Sequence, residues 1–124
     1  MDERNRVNQP EKYRTFFVSL SLQEAAEMIR KRVEEESVTG ELLDDYVLSR
    51  EGGSVRILTF EKWFYRVGNR LVLTVTLDDL TGQTRIHVVS GGGGQSVWWK
   101  FDWFAGESFA DVPFMAMEEY LIDG

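Results

Sequence analysis

The spacing of apolar residues changes character several times along the chain, and each change marks an element. Up to residue 12, MDERNRVNQPEK, there is no apolar period, and Asn, Gln and Pro dominate with mixed charges, the composition of a flexible polar tail. From Tyr13 the segment YRTFFVSL is aromatic and β-branched, as expected for a short strand. Ser21 and Glu24 then stand in capping-box spacing, each supplying a side-chain acceptor to an amide that the first helical turn leaves unpaired. Leu22, Ala25, Ala26, Ile29 and Val33 follow at helical spacing, so one stripe faces a core and Glu24, Glu27, Lys31 and Glu35 face water. The helix is expected to end near Glu36, with Ser37, Val38 and Thr39 as poorer helix formers and Gly40 as terminator.

After Gly40 the period shortens to two. Leu71, Leu73, Val75 and Leu77 alternate with Val72, Thr74, Thr76 and Asp78, and Ile86, Val88 and Ser90 alternate with Arg85, His87 and Val89. Turn chemistry divides the strands at Glu51–Gly53, at Gly68–Asn69 and at Asp78–Gly82. Connections this short join antiparallel neighbours, because a parallel crossover needs a dozen or more residues. Phe109, Val112, Ala116 and Tyr120 form a second helical stripe near the end, provided that Pro113 lies in the first turn, where its missing amide costs nothing. These elements predict a single α+β two-layer domain over residues 13–124. A short strand and a helix lead into an antiparallel meander sheet of about four to five strands, and a C-terminal helix closes the chain with both helices on one sheet face.

Composition then removes several chemistries. The 124 residues include no cysteine, so disulfides, thiolate nucleophiles and sulfur-ligated metals drop out, and a reducing cytoplasm is the expected compartment. The N-terminal residues do not form a secretory signal, and no apolar run approaches the ~20 residues that cross a bilayer. A net charge of −7 disfavours nucleic acid and anionic membrane as partners. The one basic cluster, Arg30 to Arg32, is followed by Glu34, Glu35 and Glu36 and is expected to be a solvated helix face.

Candidate active-site motifs fare poorly. Gly91 to Gly94 lead into Gln95 and Ser96 without the lysine or helix start of a phosphate loop, so they fit a hairpin loop instead. His87 is the only histidine, there is no nucleophile elbow, and Ser90 points to the opposite strand face from His87. One histidine cannot make a zinc site, and Asp44/Asp45 and Asp78/Asp79 lack calcium-loop spacing. No cofactor and no metal are therefore expected, and catalysis is disfavoured. Carboxylate chemistry between Glu61 and Asp102 is the least favoured reading and requires the two to converge.

The aromatic residues carry more information. Trp63, Phe64, Tyr65, Trp98, Trp99, Phe101, Trp103 and Phe104 come from only two strands. Large rings ordinarily fill a core. The adjacent pair Trp98 and Trp99, however, must place one ring on each sheet face, and a ring on a face without helices marks a contact surface. Trp63, Trp98, Trp99 and Lys100 are accordingly the candidate ligand or interface residues.

The segments SGGGGQSVWWKFDWFAGESF and YRVGNRLVLTVTL resemble the closing motif and central strand pair of a group of short bacterial proteins known only as a domain of unknown function. The resemblance spans about Tyr13 to Leu121 and rests on Ser90, Gly91, Gln95, Lys100, Gly106 and Glu107, together with the Asn69-Arg70 turn. It implies the same order of elements and brings no catalytic assignment. Pro113 departs from the helix-forming residue that the pattern leads one to expect.

Taken together, the residues favour a non-enzymatic binding or interaction module that acts through an aromatic sheet face and self-associates as a homodimer. The alternative keeps the fold but curls the sheet around a small apolar ligand held in a cavity between sheet and helices, as helix-grip proteins do.

Overall fold

The computed structural model describes residues 12–36, 40–64, 69–91 and 109–124. Strand β1 (Lys12–Val18) leads to helix α1 (Leu22–Glu36), followed by strands β2 (Gly40–Arg50), β3 (Gly53–Phe64), β4 (Asn69–Asp78) and β5 (Thr84–Gly91). A 3-10 turn at Phe109–Asp111 opens helix α2 (Val112–Met117), a second 3-10 turn covers Glu118–Tyr120, and β6 (Leu121–Ile122) ends the sequence of elements.

The helix signals hold where the structure describes them. Ser21 N donates to Glu24 Oε1 at 3.2 Å and Glu24 N donates to Ser21 Oγ at 3.1 Å, the reciprocal capping box read from the sequence. Ala25, Ala26, Ile29 and Val33 are fully buried, while Glu24, Glu27, Lys31 and Glu35 are exposed. Gly40 is the first residue of β2, and the segment expected to end α1 lies outside the described residues. Pro113 falls in the first turn of α2, where no intrahelical bond needs its amide.

Among the described residues the sheet has six antiparallel strands in the order β2-β3-β4-β5-β1-β6, which corrects the expected four to five. β2 to β5 form the meander, and the N-terminal β1 adds along β5, with Phe16 opposite Ile86. β6 is only two residues long, pairing Phe17 with Ile122 and Val18 with Leu121, too short to leave any alternation in the sequence. At the β2–β3 hairpin Gly52 has φ +102, and at the β4–β5 turn Gly82 has φ +91, conformations that side chains other than glycine avoid.

Register and burial separate the two sheet faces. On one lie Phe16 and Val18 of β1, Ile86 and Val88 of β5, Leu71, Leu73, Val75 and Leu77 of β4, and Leu58 and Phe60 of β3, all buried. The stripe of α1 and the residues Phe109, Val112 and Met117 close over them as one core. Each large side chain so buried contributes roughly 1.5–3 kcal/mol, so this face holds the fold together. Phe114 of α2 meets Phe16 edge-on with ring centroids 5.1 Å apart, and Ser19 N donates to Tyr120 O at 2.9 Å, tying the C-terminal elements to β1.

Candidate functional site

The opposite face gathers the alternate residues of the same strands: Thr15 and Phe17 of β1, His87 and Val89 of β5, Val72, Thr74 and Thr76 of β4, Val55, Ile57 and Thr59 of β3, and Tyr46 and Leu48 of β2. No described helix or strand lies over them, because both helices sit on the side of Leu58, Leu73 and Ile86. Their exposure grades across the sheet. Residues of the central strands are part-buried by their neighbours, whereas Tyr46 and Leu48 on the edge are 50% and 51% exposed. Five strands at about 4.8 Å spacing make the face about 19 Å across. Most of its central side chains are β-branched, which gives a stiff, gently apolar surface that loses little rotamer freedom when covered.

Ion pairs frame the two ends of this face. Glu61 of β3 pairs with Arg70 of β4, whose guanidinium also lies 5.9 Å from the centre of the Trp63 ring. At the other end Arg85 Nε donates to Asp78 Oδ2 at 2.9 Å and Nη2 donates to Asp78 Oδ1 at 3.3 Å, while Leu80 N donates to Asp78 Oδ1 at 3.1 Å. Between them Thr15 Oγ1 and His87 Nδ1 lie 2.7 Å apart across β1 and β5. Ser90 is on the covered face, so it cannot meet His87, as the strand alternation required.

Of the sequence candidates, Trp63 stands on the uncovered face, opposite Arg70, with 41% of its surface exposed. Trp98, Trp99 and Lys100 lie outside the described residues, as does Asp102. Glu61, the other carboxylate considered for catalysis, is buried and engaged by Arg70. Tyr46, Ile57, Val72, Thr74 and Val89 belong to the face and were not singled out from the sequence. Alternation had placed Val72, Thr74 and Thr76 together, but nothing in one sequence gives the order of strands that lays them beside Ile57 and Val89.

A second polar cluster fixes α1 on the covered side. Arg56 is buried, its Nε donates to Asp45 Oδ1 at 2.8 Å, and its Nη2 donates to Asp45 Oδ2 at 2.7 Å and to Glu27 Oε2 at 3.0 Å. The hydrogen bonds from Arg56 hold the Asp45 carboxyl below its ordinary pKa against the opposing effect of burial, and Arg30 at 3.9 Å adds to the lowering. The Arg56 guanidinium is correspondingly raised, first by its bond to Asp45. Every member of the cluster has a partner, and together they clasp α1 to β2 and β3. Lys62, 5.7 Å from the Phe109 ring, has its pKa lowered by desolvation.

Among the described residues no group of three or more His, Asp or Glu is placed to hold a metal ion, and no helix is long and apolar enough to cross a membrane. The pocket lined by Thr15, Phe17, Phe114, Ile122 and Gly124 is a shallow depression at the β1–β6 rim. No curated protein and no solved structure matches the chain. A family model does match, over residues 12–121, nearly the whole of the folded region and the span of the resemblance carried by the glycine-aromatic motif. The chain belongs to the family of unknown function DUF6054.

Proposed function

We propose that the protein is a non-enzymatic interaction module that self-associates and uses the uncovered sheet face as a contact surface. The observation that carries this reading is the asymmetry of the sheet: one face is sealed by α1 and α2, and the other presents Val89, Val72, Ile57 and Tyr46 with no described element over it. A face about 19 Å across and a similar length along the strands offers a few hundred Å², the size at which apolar patches are often functional. Trp63 extends this surface at one end, and Trp98, Trp99 and Lys100 are proposed to belong to the same function. The space between α1 and the sheet is filled by Ile29, Leu58, Phe60 and Leu73, all with no exposed surface, which favours a contact surface over a ligand cavity there.

Photo-crosslinking tests the reading. A benzophenone side chain is introduced at Thr74, in the middle of the face, or at Lys31, on the outer side of α1, in cells producing the protein. The Thr74 position is expected to capture one discrete partner, a second copy included, and the Lys31 position none. Equal capture at both positions, or none at either, would contradict it.

A further inference from the structure

β2 is an eleven-residue edge strand, and from Tyr46 to Arg50 every residue is exposed, on both sides of the sheet. Edges of this kind are usually guarded by lysine, proline or a bulge, because their unpaired backbone groups accept another strand. β2 has its bulge between Leu42 and Asp44, early in the strand, and the segment Tyr46-Val47-Leu48 beyond it carries no such guard. Val47 is 51% exposed although it lies on the helix side, since α1 does not reach the edge there.

The hairpin shows which backbone groups face outward. Ser54 N donates to Asp79 Oδ1 and Ser54 O accepts from Asp79 N, so both backbone groups of Ser54 turn away from β2. Ser54 is opposite Ser49, which makes that pair non-hydrogen-bonded and directs the Ser49 amide and carbonyl to the free edge. By the period of two, Val47 and Asp45 direct theirs the same way.

We propose that two copies of the chain pair antiparallel along β2, with Val47 opposite Val47 of the second copy, joining two six-stranded sheets into one. The inference rests on the self-association in the functional reading and adds its geometry. A two-fold pairing through outward-facing groups permits registers centred on Tyr46, Val47 or Leu48. Centring on Tyr46 sets Asp44 against Leu48, and centring on Leu48 sets Asp45 against Glu51. Only the Val47 register sets Asp44 against Arg50, Tyr46 against Leu48 and Asp45 against Ser49, with every pairing occurring twice by symmetry. Asp44 and Arg50 have no ion-pair partner among the described residues of their own chain, and both project on the uncovered face. Pairing at this edge leaves the uncovered faces of both copies side by side and doubles their width.

Sedimentation and light scattering on the full chain over a wide concentration range test the pairing through charge reversal. Arg50→Asp and Asp44→Arg are each expected to weaken the dimer about tenfold or more, because two attractive pairs become repulsive, and the double exchange Asp44→Arg/Arg50→Asp is expected to restore it to within a few-fold. Hydrogen exchange should slow at the Asp45, Val47 and Ser49 amides in the native dimer and speed up in Arg50→Asp. A dimer indifferent to both single changes overturns the edge pairing and leaves self-association standing, whereas a monomer at every concentration overturns both. Circular dichroism of each variant separates loss of pairing from loss of fold.

Discussion

One guanidinium, that of Arg56, binds both oxygens of Asp45 and one of Glu27 and so holds α1 against the β2–β3 hairpin. The capping box of Ser21 and Glu24 is legible because both partners sit within one turn, and the structure shows both of its bonds. Arg56 and Asp45 meet across a hairpin and recruit Glu27 from a helix, so their contact depends on strand register that no local pattern encodes. Its consequence is testable through pH. The Asp45 carboxyl has its pKa lowered in the folded chain from an unfolded value near 3.9, so its stabilising contribution is fully present above that value and is lost as pH falls toward the folded value. Asp45→Asn is expected to cost about 1–3 kcal/mol at neutral pH, with Arg56 left short of a charged partner. Thermal unfolding of both proteins across pH should show the gap narrowing below about pH 4. A gap unchanged with pH would remove Asp45 from the clasp.

At the scale of elements, the strands β2 to β5 and both helices were legible because each carries its own period or turn signal. The second helix is shorter than its stripe suggests, with 3-10 turns taking Phe109–Asp111 and Glu118–Tyr120, since the same apolar spacing serves either geometry. β6 was not legible, because two residues carry no alternation and their pairing with β1 depends on where the chain places them in space. Helix α1 depends on its cap for a defined start. Ser21→Ala is expected to lower stability by about 1 kcal/mol, read as a reduced midpoint in urea with an unchanged slope, since only one hydrogen bond of an exposed terminus is lost. A change well beyond 2 kcal/mol would mean that Ser21 carries more than the cap.

The whole molecule is organised by the difference between its two sheet faces. The sequence leads one to expect helices on one sheet face and Trp63 among the contact residues, and Trp63 stands on the uncovered face. Trp98 and Trp99 lie outside the described residues, and the face itself is built mainly of β-branched residues brought together by strand order. The ion pairs Glu61–Arg70 and Asp78–Arg85 lie toward the two ends of the face, and the cross-strand row Val89, Thr74, Thr59 runs through its middle without a charge.

Carbene footprinting of the protein in cells, compared with the purified protein in dilute solution, reads that surface directly. If the uncovered face is the contact surface, Tyr46, Ile57, Val72, Thr74 and Val89 should be protected on association while Met28 and Lys31 on the outer side of α1 label unchanged. Protection of α1 with continued labelling of the sheet face would contradict it.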